Sequence, residues 1–289
     1  MELKCVHPIP AVRLPGNRIV LYPTSGQLAI GEGLTLRCSY CITCRLERSR
    51  QWAVRCMHEA AMHEANCFLT LTYAPEHLPV GASLDKLAFP KFVRRLRKKI
   101  SPIKVRYFYA GEYGAKFSRP HYHAALFGYD FPDKVQTSER NGYPVYASVL
   151  LAHLWPFGFA EIGSLTFESA AYVARYILGK VFGRGAEAHY SVCDARTGEC
   201  VRRHPEFVSM SRRPGIAAKW VDKYMSDVFP RDAVVSRGKL MKPPRYYLQR
   251  LEAADVMFAD EVRFCRYENR KPGGELHAVE AIANAQSTI

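Results

Sequence analysis

Long apolar runs are missing from this 289-residue chain. No stretch approaches the roughly 20 consecutive apolar residues of a membrane span, so no spanning helix is expected. The opening MELKCVHPIP has no apolar h-region, so no secretory signal is expected either. Internal repeats are absent, which excludes a fibrous or repeat architecture. Acidic residues are scarce: 27 Asp and Glu face 41 Lys and Arg, a formal net charge of +14. An excess of that size points to a polyanionic partner, most simply a nucleic acid. The nine cysteines are odd in number, and without an export signal this argues against a disulfide framework and for a reducing compartment. With 48% hydrophobic and 24% charged residues, the rest is an ordinary globular composition for one large or two small domains.

The first 35 residues are rich in proline and glycine and read as extended, turn-rich chain. A helix is expected from Arg45 to Ala65, and CFLTLTY (Cys67 to Tyr73) alternates as a strand that Pro75 stops. A second helix is expected over Pro90 to Ile100, with Phe92, Leu96 and Ile100 as its apolar stripe. Its other faces carry Lys91, Arg94, Arg95, Arg97, Lys98 and Lys99 with no acid between them, a surface suited to phosphates. VRYFYAGEYG and HYHAALFGYDF read as an antiparallel hairpin, Phe159 to Leu165 as a further strand and Phe167 to Phe182 as a helix. Strands mixed with helices, without strict βαβ alternation, indicate an α+β fold around an antiparallel sheet.

His121-Tyr122-His123 is the sharpest local signal. On a strand both imidazoles project to one face and Tyr122 to the other. A turn centred near Lys116–Phe117 pairs residues whose numbers sum to 233, which sets Glu112 opposite His121 on that same face. Glu112, His121 and His123 would then converge as a two-histidine, one-carboxylate site. Such a set suits Fe(II) in an oxygenase, or Mg²⁺ or Mn²⁺ polarising a phosphate oxygen; the basic charge favours the second. In AAYVARYILGK, Tyr172 and Tyr176 lie at i, i+4 on a helix face that Lys180 extends, with Arg175 beside them. Tyrosine is a poor nucleophile at neutral pH, but a polarised phosphate and a nearby cation compensate. Together these parts suit transesterification of a phosphodiester.

The ordered set FLTLTY (Phe68 to Tyr73), AGEYG…RPHYH (Ala110 to His123) and YVARY (Tyr172 to Tyr176) resembles the three motifs of HUH-superfamily rolling-circle replication initiators. The wider run from CSYCITCRLERSRQWAVRCMHEA (Cys38 to Ala60) through SRRPGI (Ser211 to Ile216) resembles the initiators of gokushoviruses, small single-stranded DNA bacteriophages of the microvirus family; the likeness covers roughly Cys5 to Arg250. It implies an HUH-type central antiparallel sheet flanked by helices, and divalent-metal-dependent nicking of one strand of phage DNA at the replication origin through a 5′-phosphotyrosyl intermediate. By position, His121 and His123 match the HUH pair, Glu112 the acidic third ligand, and Tyr172 and Tyr176 the paired tyrosines. The basic residue between them, often Lys in the family, is Arg175 here, so a role needing a titratable amine falls to Lys180. The DNA is expected single-stranded or as supercoiled duplex, in the bacterial host cytoplasm, with a host helicase and replication machinery as further partners and no membrane. Arg212 and Arg213 join Arg175 and the basic helix as expected DNA contacts. Three segments are expected: 1–60 as a Cys-rich arm and first helix, 61–185 as the HUH endonuclease core, and 186–289 as a C-terminal extension.

Cys38, Cys41 and Cys44 supply three closely spaced thiolates, and a structural Zn²⁺ takes four ligands. Cys5 is the expected fourth, with His7 as the alternative and an iron–sulfur cluster as a minor option. His189, Cys193, Cys200 and His204 are symmetric about a turn at Thr197–Gly198; they make either a second zinc site or simple cross-strand pairs. The rival readings are a non-catalytic, zinc-stabilised nucleic-acid-binding protein and an HUH transposase or relaxase.

Overall fold

The computed structural model describes residues 4–16, 18–114, 117–175, 181, 185–193, 198–229 and 231–268. In chain order these form β1 (Ile9–Leu14), β2 (Arg18–Leu21), α1 (Ser25–Ile30), β3 (Glu32–Leu36), α2 (Ile42–Ala60), β4 (Asn66–Thr72), α3 (Ala88–Ile100), β5 (Arg106–Tyr113) and β6 (Pro120–Phe127). There follow β7 (Val135–Arg140), β8 (Tyr143–Ala147), α4 (Val149–Leu154), β9 (Ala160–Gly163), α5 (Phe167–Arg175), α6 (Ala186–Tyr190), β10 (Ser191–Cys193), β11 (Cys200–Arg202) and β12 (Phe207–Met210). The chain continues through α7 (Ala218–Lys223), α8 (Met225–Val228), β13 (Val234–Ser236), β14 (Lys239–Met241), α9 (Arg245–Ala254) and α10 (Val256–Glu268).

Seven strands make one sheet in the order β12-β5-β6-β4-β9-β8-β7, antiparallel at every pairing. The architecture is therefore α+β with a large antiparallel sheet flanked by helices, as the alternation in β4 to β6 indicates. Period-2 sorting gives the sheet two buried faces. Leu69, Leu71, Tyr109, Tyr122, Ala124 and Leu126 pack on one side against Phe89, Phe92 and Leu96 of α3 and Leu151 and Leu154 of α4. Phe108, Ala110, Ala125 and Phe127 pack on the other against Ala53 and Cys56 of α2 and Ala170, Val173 and Ala174 of α5. A third cluster, with Val54, Val221, Tyr247, Leu251 and Ala259, seats α7, α9 and α10 on the outer side of α2. Elements before residue 61 and after residue 186 thus share the layers of the central sheet, and β12 is its edge strand.

Several boundaries move. The first helix runs Ile42–Ala60, not Arg45 to Ala65, because Cys41 stands as its N-cap and the chain leaves the helix at Ala61. The second begins at Ala88, two residues before Pro90. The tail of the helix expected to Phe182 includes residues outside the described ones. The β7–β8 hairpin was not anticipated; its turn holds Asn141 and Gly142 at φ of 52° and 78°, the left-handed pair that a two-residue hairpin turn requires. Cys193 and Cys200 face each other across β10 and β11 and form a disulfide. The cross-strand reading therefore replaces a second zinc site, and the expectation of uniformly reduced cysteines fails at this pair. Among the described residues, no helix is long and apolar enough to cross a membrane.

Candidate metal and nucleophile site

The β5–β6 register sets Glu112 directly opposite His121 and Ala110 opposite His123. These positions share the sheet face that α2 and α5 cover, so the three side chains meet in a nearly closed corner: Glu112 is 3% and His123 6% exposed. His121 Nε2 and His123 Nε2 both point at Glu112 Oε1, the second at 3.0 Å. Burial holds the His123 imidazole below its ordinary pKa, against the opposing pull of Glu112. The far nitrogens have other partners. His121 Nδ1–H donates to the Arg119 carbonyl at 3.0 Å, and His123 Nδ1–H donates to the Thr70 hydroxyl at 3.1 Å. That assignment leaves both Nε2 lone pairs turned inward, the way outer partners orient imidazole ligands.

Two observations fit these residues to a divalent cation. One ligand atom from each of the three lies within 4.8 Å of the others. Glu112 Oε2 is buried with no hydrogen-bond partner, a costly state for a carboxylate unless a cation compensates it. Two imidazoles and one carboxylate leave coordination positions open for an oxygen ligand.

Tyr172 of α5 stands over this corner, its ring edge-on to His123 with centroids 5.1 Å apart, and it is 39% exposed. The helix start is fixed by reciprocal bonds between Thr166 and Ser169 (2.8 and 3.2 Å), a capping arrangement, and Ser49 of α2 donates to the Ala171 carbonyl at 2.8 Å. Arg175 lies one turn on, its guanidinium 5.8 Å from the Tyr172 ring centre. Tyr176 and Lys180 lie outside the described residues. A cleft of about 420 Å³ opens here, lined by Thr70, Thr72, His121, His123, Arg140, Phe159, Glu161 and Tyr172. Gly158 (φ 157°) shapes its rim: a Cβ there would sit 2.4 Å from the Ala74 nitrogen. The close approach lets Thr72 and Ala74 donate to the Phe159 and Phe157 carbonyls at 2.8 Å each.

The expected DNA-contact residues are not all in this corner. α3 covers the opposite face of the sheet, burying Phe89, Phe92, Val93, Leu96 and Ile100. Lys91, Arg94, Arg97, Lys98 and Lys99 are exposed on its outer side, and Arg95 is committed to the Leu154 carbonyl at 2.7 and 3.0 Å. Arg212 and Arg213 lie in the turn after β12, near the start of β5 rather than its end. Sequence reasoning missed Thr70, Arg140, Phe159 and Glu161. Thr70 was within reach, because it shares the alternating face of Phe68 and Thr72 beside the histidine strand.

A second candidate metal centre ties the N-terminal arm to α2. The sulfurs of Cys5, Cys38, Cys41 and Cys44 lie within 4.8 Å of one another. Cys5–Cys38, Cys5–Cys41 and Cys38–Cys44 separations are 3.5, 3.7 and 3.9 Å, close to the roughly 3.8 Å edge of a tetrahedron with zinc–sulfur bonds of about 2.3 Å. The Cys38 and Cys41 amides donate to the Cys5 and Cys38 sulfurs at 3.4 and 3.3 Å. A hydrogen bond from the Thr43 hydroxyl brings Cys41 down to about 5, while burial pushes Cys44 up to about 11. The geometry selects Cys5 rather than His7 as the fourth donor.

An antiparallel sheet that turns two histidines and a glutamate toward a helix-borne tyrosine defines a class: α+β proteins with a candidate cation site beside a candidate nucleophile. A family model described as replication-associated protein ORF2 matches residues 66–181, the stretch that holds all four side chains. The chain is 36% identical over 222 residues to replication-associated protein VP4 of Bdellovibrio phage phiMH2K, covering 73% of this chain and 65% of that protein. It is 33% identical over 241 residues to replication-associated protein ORF2 of Spiroplasma virus 4 (78% and 71%), and 30% identical over 238 residues to replication-associated protein ORF4 of Chlamydia phage 1 (78% and 56%). The chain belongs to the family of replication-associated proteins of small bacteriophages, the Microviridae. The matches thus span between 56% and 71% of these relatives' own lengths. No solved structure matches the chain.

Proposed function

We infer that this protein initiates rolling-circle replication by nicking one strand of phage DNA at its origin and keeping the 5′ end as a phosphotyrosyl bond. The observation that carries the reading is the convergence of Glu112, His121 and His123 beneath Tyr172, with a buried carboxylate oxygen left over. Mg²⁺ or Mn²⁺ held by that triad would draw charge from a non-bridging phosphate oxygen. The chain's own residues do the rest. The Tyr172 hydroxyl oxygen attacks phosphorus as its proton leaves, and the bond to the 3′ oxygen breaks. That oxygen takes up a proton and departs as a 3′-hydroxyl. One phosphodiester replaces another, so the strand can be rejoined by the reverse step. Arg175 supplies positive charge beside the ring; Tyr176 and Lys180 extend this face by the family resemblance, a second tyrosine allowing alternate rounds. The four cysteines hold a structural Zn²⁺ that fixes the arm to α2.

The test is incubation with labelled single-stranded origin DNA and Mn²⁺, followed by denaturing electrophoresis. The Tyr172→Phe/Tyr176→Phe double variant should form no covalent adduct while still binding DNA, and His121→Ala should lose metal-dependent nicking. An adduct in the double variant, or undiminished nicking in His121→Ala, would overturn the residue roles. Salt-sensitive binding without any cleavage by the unaltered protein would favour a non-catalytic binding protein.

A further inference from the structure

A larger cleft, of about 980 Å³, lies at the other end of the sheet. β5 connects the two: Arg106 begins the strand and Glu112 stands six residues on, a separation of about 20 Å at roughly 3.3 Å per residue. Arg97, Lys104, Arg106, Arg212, Arg213 and Lys219 line it, and among the described residues no acidic side chain does. One of the six has a structural duty. Arg106 is paired with buried Glu59 and donates to the Pro214 and Gly215 carbonyls at 2.8 and 3.0 Å. Glu59 in turn accepts the Ala217 N–H at 2.6 Å. Burial opposes its ionisation, but bonds from His63 and Ala217 and the Arg106 charge hold its carboxyl below the usual range.

The loop is closed at both flanks. Ser211 N–H donates to the Tyr107 carbonyl at 2.9 Å and its hydroxyl accepts the Tyr107 N–H at 3.1 Å. Arg55 grips the Ile216 carbonyl at 3.0 and 3.2 Å. At Gly215 a Cβ would stand 2.5 Å from the Tyr246 hydroxyl. The backbone of residues 211–217 is therefore fixed, while Lys104, Arg212, Arg213 and Lys219 are exposed and form no ion pair with any described residue. Arg97 joins the cleft to the exposed basic side of α3.

We propose that this cleft is a second nucleic-acid site, which grips the sugar-phosphate backbone of the DNA about 20 Å from the bond to be cut. The proposal rests on the nicking reading only for the identity of the strand. A rigid loop that presents free cations with no competing carboxylate favours a polyanion with regularly spaced phosphates. The span between the clefts corresponds to about six nucleotides at 3.4 Å each.

The experiment measures binding of the full chain to oligothymidylates of about six and about twenty nucleotides across a salt series. The longer strand should show a steeper salt dependence, by about 0.7 in the log–log slope for each additional phosphate it engages. Lys104→Ala/Arg212→Ala/Arg213→Ala should lower that slope by about 2 and remove most of the affinity that the extra length adds. Arg212→Lys/Arg213→Lys should retain both. An unchanged slope in the triple variant, or its loss in the lysine variant, would overturn the proposal. Wild-type protein that shows the length effect yet forms no covalent adduct would unseat the nicking reading and leave the cleft standing.

Discussion

The two ends of β5 share one rigid strand and have opposite chemistry. At the Tyr113 end, Glu112 is buried, one of its oxygens lacks a partner, and the nearby Arg140 is tied to Glu161 at 3.2 Å. At the Arg106 end, the buried carboxylate of Glu59 is fully engaged and exposed cations surround the opening. A carboxylate left short of partners is expensive, and it persists where it has a ligand to hold. A carboxylate with every lone pair used pins structure. One sheet can therefore separate cutting from gripping, and the same residue type serves each end differently.

Glu112→Gln should show the largest effect. With the cation ligand gone, Mn²⁺-dependent nicking should fall roughly a thousandfold, the several kcal/mol that a metal supplies to a phosphoryl step. Stability without metal should change by less than about 1 kcal/mol, because the lost charge was incompletely satisfied in the fold. Initial nicking rates and denaturant midpoints check both halves, and a loss of stability larger than that would make Glu112 a structural residue like its counterpart. Glu59→Gln should invert the pattern. Removing one partner of a buried pair and two of its acceptor contacts should destabilise by about 3–5 kcal/mol. A denaturation curve that barely moves would break the contrast from the other side.

Much of the cutting end is legible in local pattern, and little of the gripping end is. The alternation of FLTLT and the sum of 233 across the hairpin place Glu112 beside His121 without reference to anything distant. The stripe of Phe92, Leu96 and Ile100 says which side of α3 is buried, but not which face of the sheet receives it; that choice is made by non-local packing against Tyr109 and Tyr122. This is why the basic helix was expected near the metal and lies across the sheet from it. Asn141–Gly142 is a turn signal readable from the two residues alone. The anchoring of residues 211–217 depends on Arg55, Glu59 and Arg106, more than a hundred positions away, and leaves no local trace.

His58, next to Glu59 on α2, tests how the gripping end is supported from outside. Its ring lies 3.5 Å from that of Trp220 in α7 and its Nδ1 2.7 Å from the Tyr247 hydroxyl of α9. Burial pushes it down to about 4 from 6.5. The folded state therefore resists a proton that the unfolded chain accepts. Stability is fully present above about pH 6.5 and is lost as the pH falls toward 4, by up to about 3 kcal/mol. His58→Gln should flatten that part of the stability–pH curve. An equal fall in the variant would show that other groups govern it.

The smallest expected effect concerns the one cation pair at the cutting cleft. Arg140 and Glu161 are 63% and 39% exposed, so the bridge itself is worth less than about 1 kcal/mol, and Glu161→Gln should leave the denaturant midpoint nearly unchanged. It should nonetheless blur the division between the two ends, because Arg140 would be released beside the triad as an uncompensated charge. If the scissile strand passes over β9, binding of the short oligothymidylate should tighten by a few fold and its salt slope should steepen by about 0.7, one additional phosphate contact. Unchanged affinity and slope would mean that the strand approaches the triad from the α5 side, over Tyr172 and Arg175. In that case the neutrality of the β9 rim has no part in how DNA reaches the cation site.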